Sequence, residues 1–406
     1  MKKIILIVSA IFFAAVAFFL VKGFLVYKKI YTPSIIKKPI EKSTYNILLF
    51  GYGGGNHEGA FLTDTVMIFH VDLKAKKAAL VSIPRDLWVK LPTKSGSEFH
   101  IKINAVYQLE LGKMGEVSSI YPNLDQSHFG SIKDAEFTKY IVSQIFGEDI
   151  DNYVAIDFSG LTKTIDTLGG VDVNVLKSFT DTQYPIDGKE KDLCSSDIEN
   201  QFNLIKDYIN IPATATDDAT LQQLFKDHSG LEEFYNNIAK EPEKAFPCRY
   251  ETLHFDNGIT HMDGKTVLKY VRSRHALEDG GDFGRSARQQ QLMITVKDKV
   301  LSVGFVPKII PLLDELGNDV KTDFTLSTMQ RFINLVGTIK DFQLVTYVIS
   351  DQNLMKNSRS QDGQFILIPK EGLDQWTGFK SFYKNITQGI LPTPIPISTP
   401  SGQLNK

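Results

Sequence analysis

Three apolar runs in a span of forty residues constrain this chain more than any other feature. Residues 46–50 (Asn-Ile-Leu-Leu-Phe) form a buried-strand candidate that runs into Gly51-Tyr52-Gly53-Gly54-Gly55. Residues 64–72 open on Asp64, and residues 78–86 close on Pro84-Arg85-Asp86, with Leu73-Lys74-Ala75-Lys76-Lys77 joining the two as in a hairpin. Antiparallel pairing of that hairpin brings Asp64 and Arg85 to the same end. Further on, residues 153–158, 161–168 and 169–175 read as strand, helix, glycine turn and strand, and strands recur at 342–349 and 365–369. This alternation predicts an α/β fold: a single domain with a central mixed sheet flanked by helices, preceded by one transmembrane helix.

The helix is expected in the apolar run 4–21, behind Lys2 and Lys3, as a retained signal anchor. Residues 1–29 then form a cytoplasmic tip and membrane anchor, 30–44 a stalk with Pro33 and Pro39, and 45–372 the domain. Residues 373–406 hold a C-terminal helix and a Pro-rich disordered tail. Within the domain, residues 179–250 lose the periodic pattern and read as a surface insertion. The expected location is the cell membrane, single-pass, with the domain extracytoplasmic. In that oxidising setting Cys194 and Cys248, the only two cysteines, can close the insertion as a disulfide. They have no zinc-ligand spacing. A formal charge of −2 over 406 residues gives no general attraction to nucleic acid, so anion binding has to be local.

The local candidate is residues 270–293, where Arg272, Arg274, Arg285 and Arg288 surround Gly280, Gly281, Asp282 and Gly284. Residues 268–274 read as extended, with Arg272 and Arg274 on one side. After Gly284, the spacing of Arg285, Arg288, Gln289 and Leu292 marks one helix face. Guanidinium forks match phosphate oxygens in pairs, and a helix N-terminus adds amide donors. The plain alternative is a solvated basic surface. Asp64, Arg85, Lys102, Arg272, Arg274, Arg285 and Gln289 come from separate stretches, mostly at strand ends. Convergence of so many cations around one carboxylate calls for an anion or a metal, hence a diphosphate with a divalent metal at Asp64. Asp86 is a possible base or an ion-pair partner, with the pair favoured. The glycines after residue 50 fit neither a dinucleotide fingerprint nor a P-loop, and no GxSxG elbow is present.

In order, residues 48–51, 63–67, 82–86, 102–105, 263–264, 270–274 and 282–290 resemble the motifs of the LytR-CpsA-Psr (LCP) family across about 45–300, less the insertion. The resemblance implies a membrane-anchored phosphotransferase that moves a glycopolymer from a polyprenyl diphosphate carrier to peptidoglycan or another wall acceptor. It also implies an apolar tunnel under the sheet for the isoprenoid. Arg85, Arg272, Arg274 and Arg285 would be catalytic, gripping the head group with Gln289, with Lys102 assisting. Asp64 would hold Mg2+ (or Mn2+). The chain departs from the family pattern at Tyr52, where many members carry a second aspartate, and at Leu62, where many carry an arginine; Glu58 or water could complete the metal site. Two alternatives stay open: a polyprenyl diphosphate hydrolase, and a non-catalytic lipid-diphosphate binder or envelope regulator. No helix-turn-helix pattern supports a nucleic-acid partner.

Overall fold

The structure, a computed structural model, describes residues 27–28, 31, 42–55, 59–112, 117–129, 135–209, 219–302, 316–317, 319–335 and 341–390. The expected anchor helix at 4–21, most of the stalk, His57, Glu58 and the tail from residue 391 lie outside them. Among the described residues no helix is long and apolar enough to cross a membrane. The chain divides into two compact units, one drawn from 1–173, 261–271 and 286–398, the other from 174–260, 272–285 and 399–406.

The first unit is built on a mixed sheet of β1 (Thr44–Tyr52), β2 (Thr63–Asp72), β3 (Lys77–Ser82), β6 (Asn152–Asp157), β11 (Val320–Thr322) and β12 (Gln343–Val348), in the order β11-β6-β1-β2-β3-β12. β1 and β6 are parallel, as are β3 and β12; β2 runs against both of its neighbours. β1 is apolar over residues 47–50 because both faces are covered there. Leu48 and Phe50 are buried, and the Phe50 ring stacks on Tyr107 at 4.8 Å. On the alternate positions, Tyr45 and Ile47 cluster with Val71, Ala78 and Phe324. Each such Leu or Phe side chain contributes about 1.5–3 kcal/mol by leaving water.

The β2–β3 hairpin has the predicted pairing, from Met67↔Ser82 to Asp72↔Lys77. Asp72 Oδ1 closes its turn by accepting from the amides of Lys74 at 2.8 Å and Ala75 at 2.9 Å. Between β1 and β2, Gly54 has φ +74°, and a Cβ there would come 3.0 Å from the Asp157 Cβ, so the loop needs glycine on two counts. Helices α1 (Glu136–Phe146), α2 (Phe158–Thr167), α8 (Leu326–Leu335) and α9 (Thr377–Thr387) also belong to this unit. Two short strands, β4 (Trp88–Lys90) and β5 (His100–Lys102), form a separate antiparallel pair.

One expectation fails. Residues 268–272 are not extended but end a helix, α6 (Gly264–Arg272). Its start is fixed by Asp263, whose Oδ1 accepts from the Thr266 amide at 2.8 Å, as an N-cap does. Val267, Tyr270 and Val271 are buried at helical spacing. The alternation of Arg272 and Arg274 mimicked a strand, but only Arg274 lies past the helix end. The next helix, α7 (Gly281–Ser302), begins three residues before the expected Gly284, and its buried Arg285, Arg288, Gln289 and Leu292 share the predicted face.

α9 closes the first unit through a buried polar network. Asn46 Oδ1 accepts from Tyr383 Oη at 2.9 Å and lies 2.7 Å from His70 Nδ1, while Asn46 Nδ2 donates to the Asp149 carbonyl. Asn46 Oδ1 can only accept, so His70 Nδ1 is the donor of that contact and carries a proton. Burial depresses its basicity, against weaker opposing pulls from Asp72 and Asp151. A histidine depressed in the fold takes up its proton more readily when unfolded. Its contribution to stability is thus complete above the ordinary histidine range near pH 6.5 and is lost as pH falls through the folded value. The unfolding free energy from urea titrations should fall between pH 7 and pH 5, by at most about 1.4 kcal/mol per pH unit for this one group, and His70→Gln should flatten that part of the curve.

In the second unit β8 (Phe179–Pro185) pairs antiparallel with β9 (Tyr250–Phe255), closing the excursion between them. Helices α3 (Ser196–Ile205), α4 (Ala219–Asp227) and α5 (Leu231–Lys240) contribute to a small core of its own, with Ile205, Leu221, Leu231, Phe234 and Phe246 buried. β7 (Val171–Val175) pairs with β10 (Gly258–Met262). Cys194 and Cys248 form a disulfide, their Cα atoms 5.4 Å apart across 54 residues. Chain-entropy arguments put such a bridge at about 2–4 kcal/mol. Replacing both cysteines by serine should make residues 195–247 a preferred site of limited proteolysis while the β1–β2–β3 sheet stays protected; equal cleavage of both proteins would contradict this.

Candidate active site

In the first unit the ends of β2 and β3 carry one ionic group. Arg85 Nη1 donates to Asp64 Oδ1 at 2.6 Å, and Arg85 Nε lies 3.7 Å from Asp86 Oδ2. Lys102, at the end of β5, donates to Asp86 Oδ1 at 2.7 Å. The backbone explains why these residues meet. The Ile103 amide donates to the Leu87 carbonyl, the Asn104 amide to the Arg85 carbonyl, and Thr63 Oγ1 to the Asn104 carbonyl. Asp86 is thus an ion-pair partner, as favoured. The group balances two cations with two carboxylates.

Tyr52 ends β1 with its residue only 6 % exposed. Burial, then the nearby Asp157 and Asp319, push its hydroxyl up to about 12, so it stays a neutral phenol and is no substitute for an aspartate ligand. Asp64 remains about one-third exposed and offers carboxylate oxygens beside the Arg85 guanidinium. A magnesium ion is ordinarily held by one or two carboxylates together with water and substrate phosphates, and Asp64 fits that demand. Among the described residues the one cluster of three ligand-type side chains is Asp192, Cys194 and Cys248, and its two sulfurs are bonded to each other.

In the second unit the stretch from Arg272, which ends α6, to Arg285, near the start of α7, holds three of the expected arginines. Asp282 Oδ1 is shared, 2.9 Å from Arg285 Nη2 and 3.1 Å from Arg274 Nε. Arg272 lies with its guanidinium 5.7 Å from the centre of the Tyr184 ring, and its Nη1 is 3.4 Å from both Tyr184 Oη and Asp187 Oδ1. Burial drives the Tyr184 hydroxyl up to about 12 despite the neighbouring cation. The arginine side chains are buried at Arg285, 4 % exposed, and partly buried at Arg272, 22 %, and Arg274, 34 %. That is not a solvated charge run. The expected surplus of cations around one carboxylate is also corrected: Asp282 and Asp187 offset part of the repulsion here, and Asp86 does so in the first unit.

Gln289 belongs to the first unit, where its side-chain amide approaches the Val271 carbonyl at 3.4 Å. Arg288 spends its Nε on the Tyr270 carbonyl at 3.0 Å and is a packing residue. Gln290 ties the strand ends, donating to Ser82 Oγ at 2.8 Å and to the Tyr347 carbonyl at 2.6 Å. Asp181, Tyr184 and Asp187 were not anticipated as partners of the arginine loop. They lie 85 to 94 positions from it in the chain, and no local spacing signals such a contact.

A model of the LytR_cpsA_psr family matches residues 22–374. The chain belongs to that family. Similar curated LytR_cpsA_psr-type proteins include the polyisoprenyl-teichoic acid–peptidoglycan teichoic acid transferase TagU of Oceanobacillus iheyensis, 21 % identical over 72 % of this chain and 63 % of the relative. TagV of Bacillus subtilis, with the same transferase description, is 24 % identical over 71 % of this chain and 52 % of its own length. Biofilm regulatory protein A of Streptococcus mutans is 23 % identical, again over 71 % and 52 %. The chain thus spans about half to two-thirds of these relatives. The crystal structure of B. subtilis TagV shares the fold at TM-score 0.52 and 20 % identity, covering 87 % of this chain and all of that one. Protein gbs0355 of Streptococcus agalactiae does so at 0.53 and 16 %, covering 85 % and 87 %. The mixed-sheet α/β architecture of this LytR_cpsA_psr member is therefore a shared one.

Proposed function

We propose that this protein is a phosphotransferase that moves a glycopolymer from a polyprenyl diphosphate carrier to peptidoglycan or a related wall acceptor. One observation carries the reading: the arginines marked by the family motifs are drawn out of bulk water and held by carboxylates. A guanidinium already desolvated and oriented binds a phosphate with little further reorganisation, and does so bidentately. The curated relatives named as teichoic acid transferases supply the substrate class.

In the proposed reaction an acceptor hydroxyl attacks the phosphorus bonded to the sugar. A new P–O bond forms as the P–O bond to the bridging oxygen breaks, polyprenyl phosphate leaves, and the acceptor proton passes to solvent or to the leaving phosphate. Arg272, Arg274 and Arg285 would neutralise phosphate oxygens, Arg85 and Lys102 would do the same at the strand ends, and Gln289 would add a neutral donor. Mg2+ or Mn2+ held at Asp64 would supply further charge neutralisation when bound. The isoprenoid would lie in an apolar tunnel under the sheet, with the half-buried Leu49, Phe69 and Leu344, which pack against the cluster of Tyr45 and Ile47, as apolar lining. A membrane anchor in residues 1–29 and an extracytoplasmic domain complete the proposal.

Purified protein given lipid-linked glycan, peptidoglycan oligomers and Mg2+ should release polyprenyl phosphate only when the acceptor is present. Equal release without acceptor would identify a hydrolase instead. The regulatory name of the S. mutans relative favours a second reading, a binder without turnover. In that case Asp64→Ala would leave cellular function intact while Arg272→Ala abolished it; the transferase reading expects both to fail.

A further inference from the structure

Strand β8 carries a feature that regular pairing does not explain. Its buried residues are Phe179, Asp181 and Tyr184, spaced by two and then by three. In an unbroken strand Asp181 and Tyr184 would face opposite sides. The register shows why they do not: Asp181 pairs with Leu253 and Tyr184 with Glu251, so β8 places two residues against one on β9. This is a β-bulge, a device that re-aims a side chain. It turns both residues toward the segment that follows α6.

Asp181 has no exposed surface, so its carboxylate is costly unless its oxygens are bonded. Oδ2 accepts from Ser273 Oγ at 2.6 Å and from the amides of Arg274 at 3.0 Å and His275 at 3.1 Å, and Oδ1 accepts from the Gln183 amide at 2.9 Å. Burial opposes the charge, but these donors outweigh it and hold the carboxyl below the usual carboxylate range. Three of the four donors belong to residues 273–275, between Arg272 and the shared Asp282. Tyr184, on the other side of the bulge, lies beside the Arg272 guanidinium.

We infer that Asp181 is a positioning residue for the phosphate-binding arginines: through the β8 bulge it fixes the backbone of residues 273–275 so that Arg272 and Arg274 are set before a diphosphate arrives. It touches no substrate and acts through the loop, and the inference rests on the function proposed above. A preset loop removes an ordering cost from binding, so its loss appears in affinity.

The test titrates the full chain with farnesyl diphosphate by calorimetry. Wild-type binding that is lost in Arg272→Ala supports the reading of the site; no binding by the wild type overturns both that reading and this one. Given binding, Asp181→Asn should raise Kd at least about tenfold, and amide exchange should quicken at Arg274 and His275 while the β8–β9 ladder stays protected. Made in an Arg274→Ala background, the same substitution should cost less than its full factor, because the two act as one unit. Wild-type affinity in Asp181→Asn, or an undiminished loss in the Arg274→Ala background, overturns the inference. Should Asp181→Asn fail to fold, Ser273→Ala, which removes the 2.6 Å bond and leaves the two backbone donors in place, carries the test: Kd should rise several-fold, and an unchanged Kd is the adverse result.

Discussion

Arg285→Ala is expected to lower kcat/KM for the proposed glycopolymer transfer by about 10²–10³, the usual loss when a preorganised donor to developing charge is removed. The expectation follows from where Arg285 sits. Its side chain is 4 % exposed, and its Nη2 shares Asp282 Oδ1 with Arg274 Nε. Without Arg285 the carboxylate keeps Arg274 as its cation, and that arginine is drawn toward Asp282 instead of toward phosphate. Arg285→Lys should recover little, because an ammonium cannot present the planar fork that spans a carboxylate and a phosphate. The partner substitution separates charge from geometry. Asp282→Asn keeps the shape and releases both guanidiniums, so it should weaken transfer less than Arg285→Ala does. Initial rates of polyprenyl phosphate release at several lipid concentrations would decide the matter. A loss expressed only as a raised KM, with kcat unchanged, would show uniform binding and no selective stabilisation of the transition state.

The sheet was readable in the sequence because its signals are local. Apolar runs, a lysine-rich turn and a glycine loop are each complete within ten residues, and β1, β2 and β3 fall where those signals lie. The meeting of Asp64 with Arg85 followed from hairpin geometry alone, since antiparallel strands return to their starting end. The arginine stretch was harder. Arg272 ends a helix begun by the Asp263 cap, and the alternation with Arg274 straddles that end. What holds Arg272 and the backbone of 273–275 was out of reach, because Asp181 and Tyr184 on β8, and Asp187 just past its end, lie 85 to 94 residues earlier, and a one-residue bulge decides which way two of them face. Pattern reading assumes a constant period, and a bulge breaks it. The metal at Asp64 and the lipid path rest on chemistry and resemblance, as the proposed function does.

The largest stability effect should come from Asp323, which lies outside both arginine groups. Its carboxylate is fully buried: Oδ2 accepts from Lys139 Nζ at 2.6 Å, and Oδ1 accepts from the Tyr153 amide at 2.9 Å and Asn152 Nδ2 at 3.0 Å. Lys139 also reaches Glu136 Oε1 at 2.7 Å within α1. The triad thus ties α1 to β6, the strand parallel to β1. Burial lowers the basicity of Lys139, but Asp323 and then Glu136 overcome it and hold the ammonium above the usual lysine range. Asp323→Ala removes the stronger counter-charge and two acceptor sites while the lysine stays buried, a change that costs about 3–5 kcal/mol in comparable buried pairs. Urea unfolding should show a lower midpoint with an unchanged slope, since the native surface is not otherwise altered. A paired Lys139→Met and Asp323→Leu variant should be less destabilised than Asp323→Ala, because it abolishes both charges instead of stranding one. If the paired variant were the weaker protein, the triad would be contributing favourable energy beyond mutual compensation, and the ion pairs themselves would have to be counted among the forces that hold the sheet to α1.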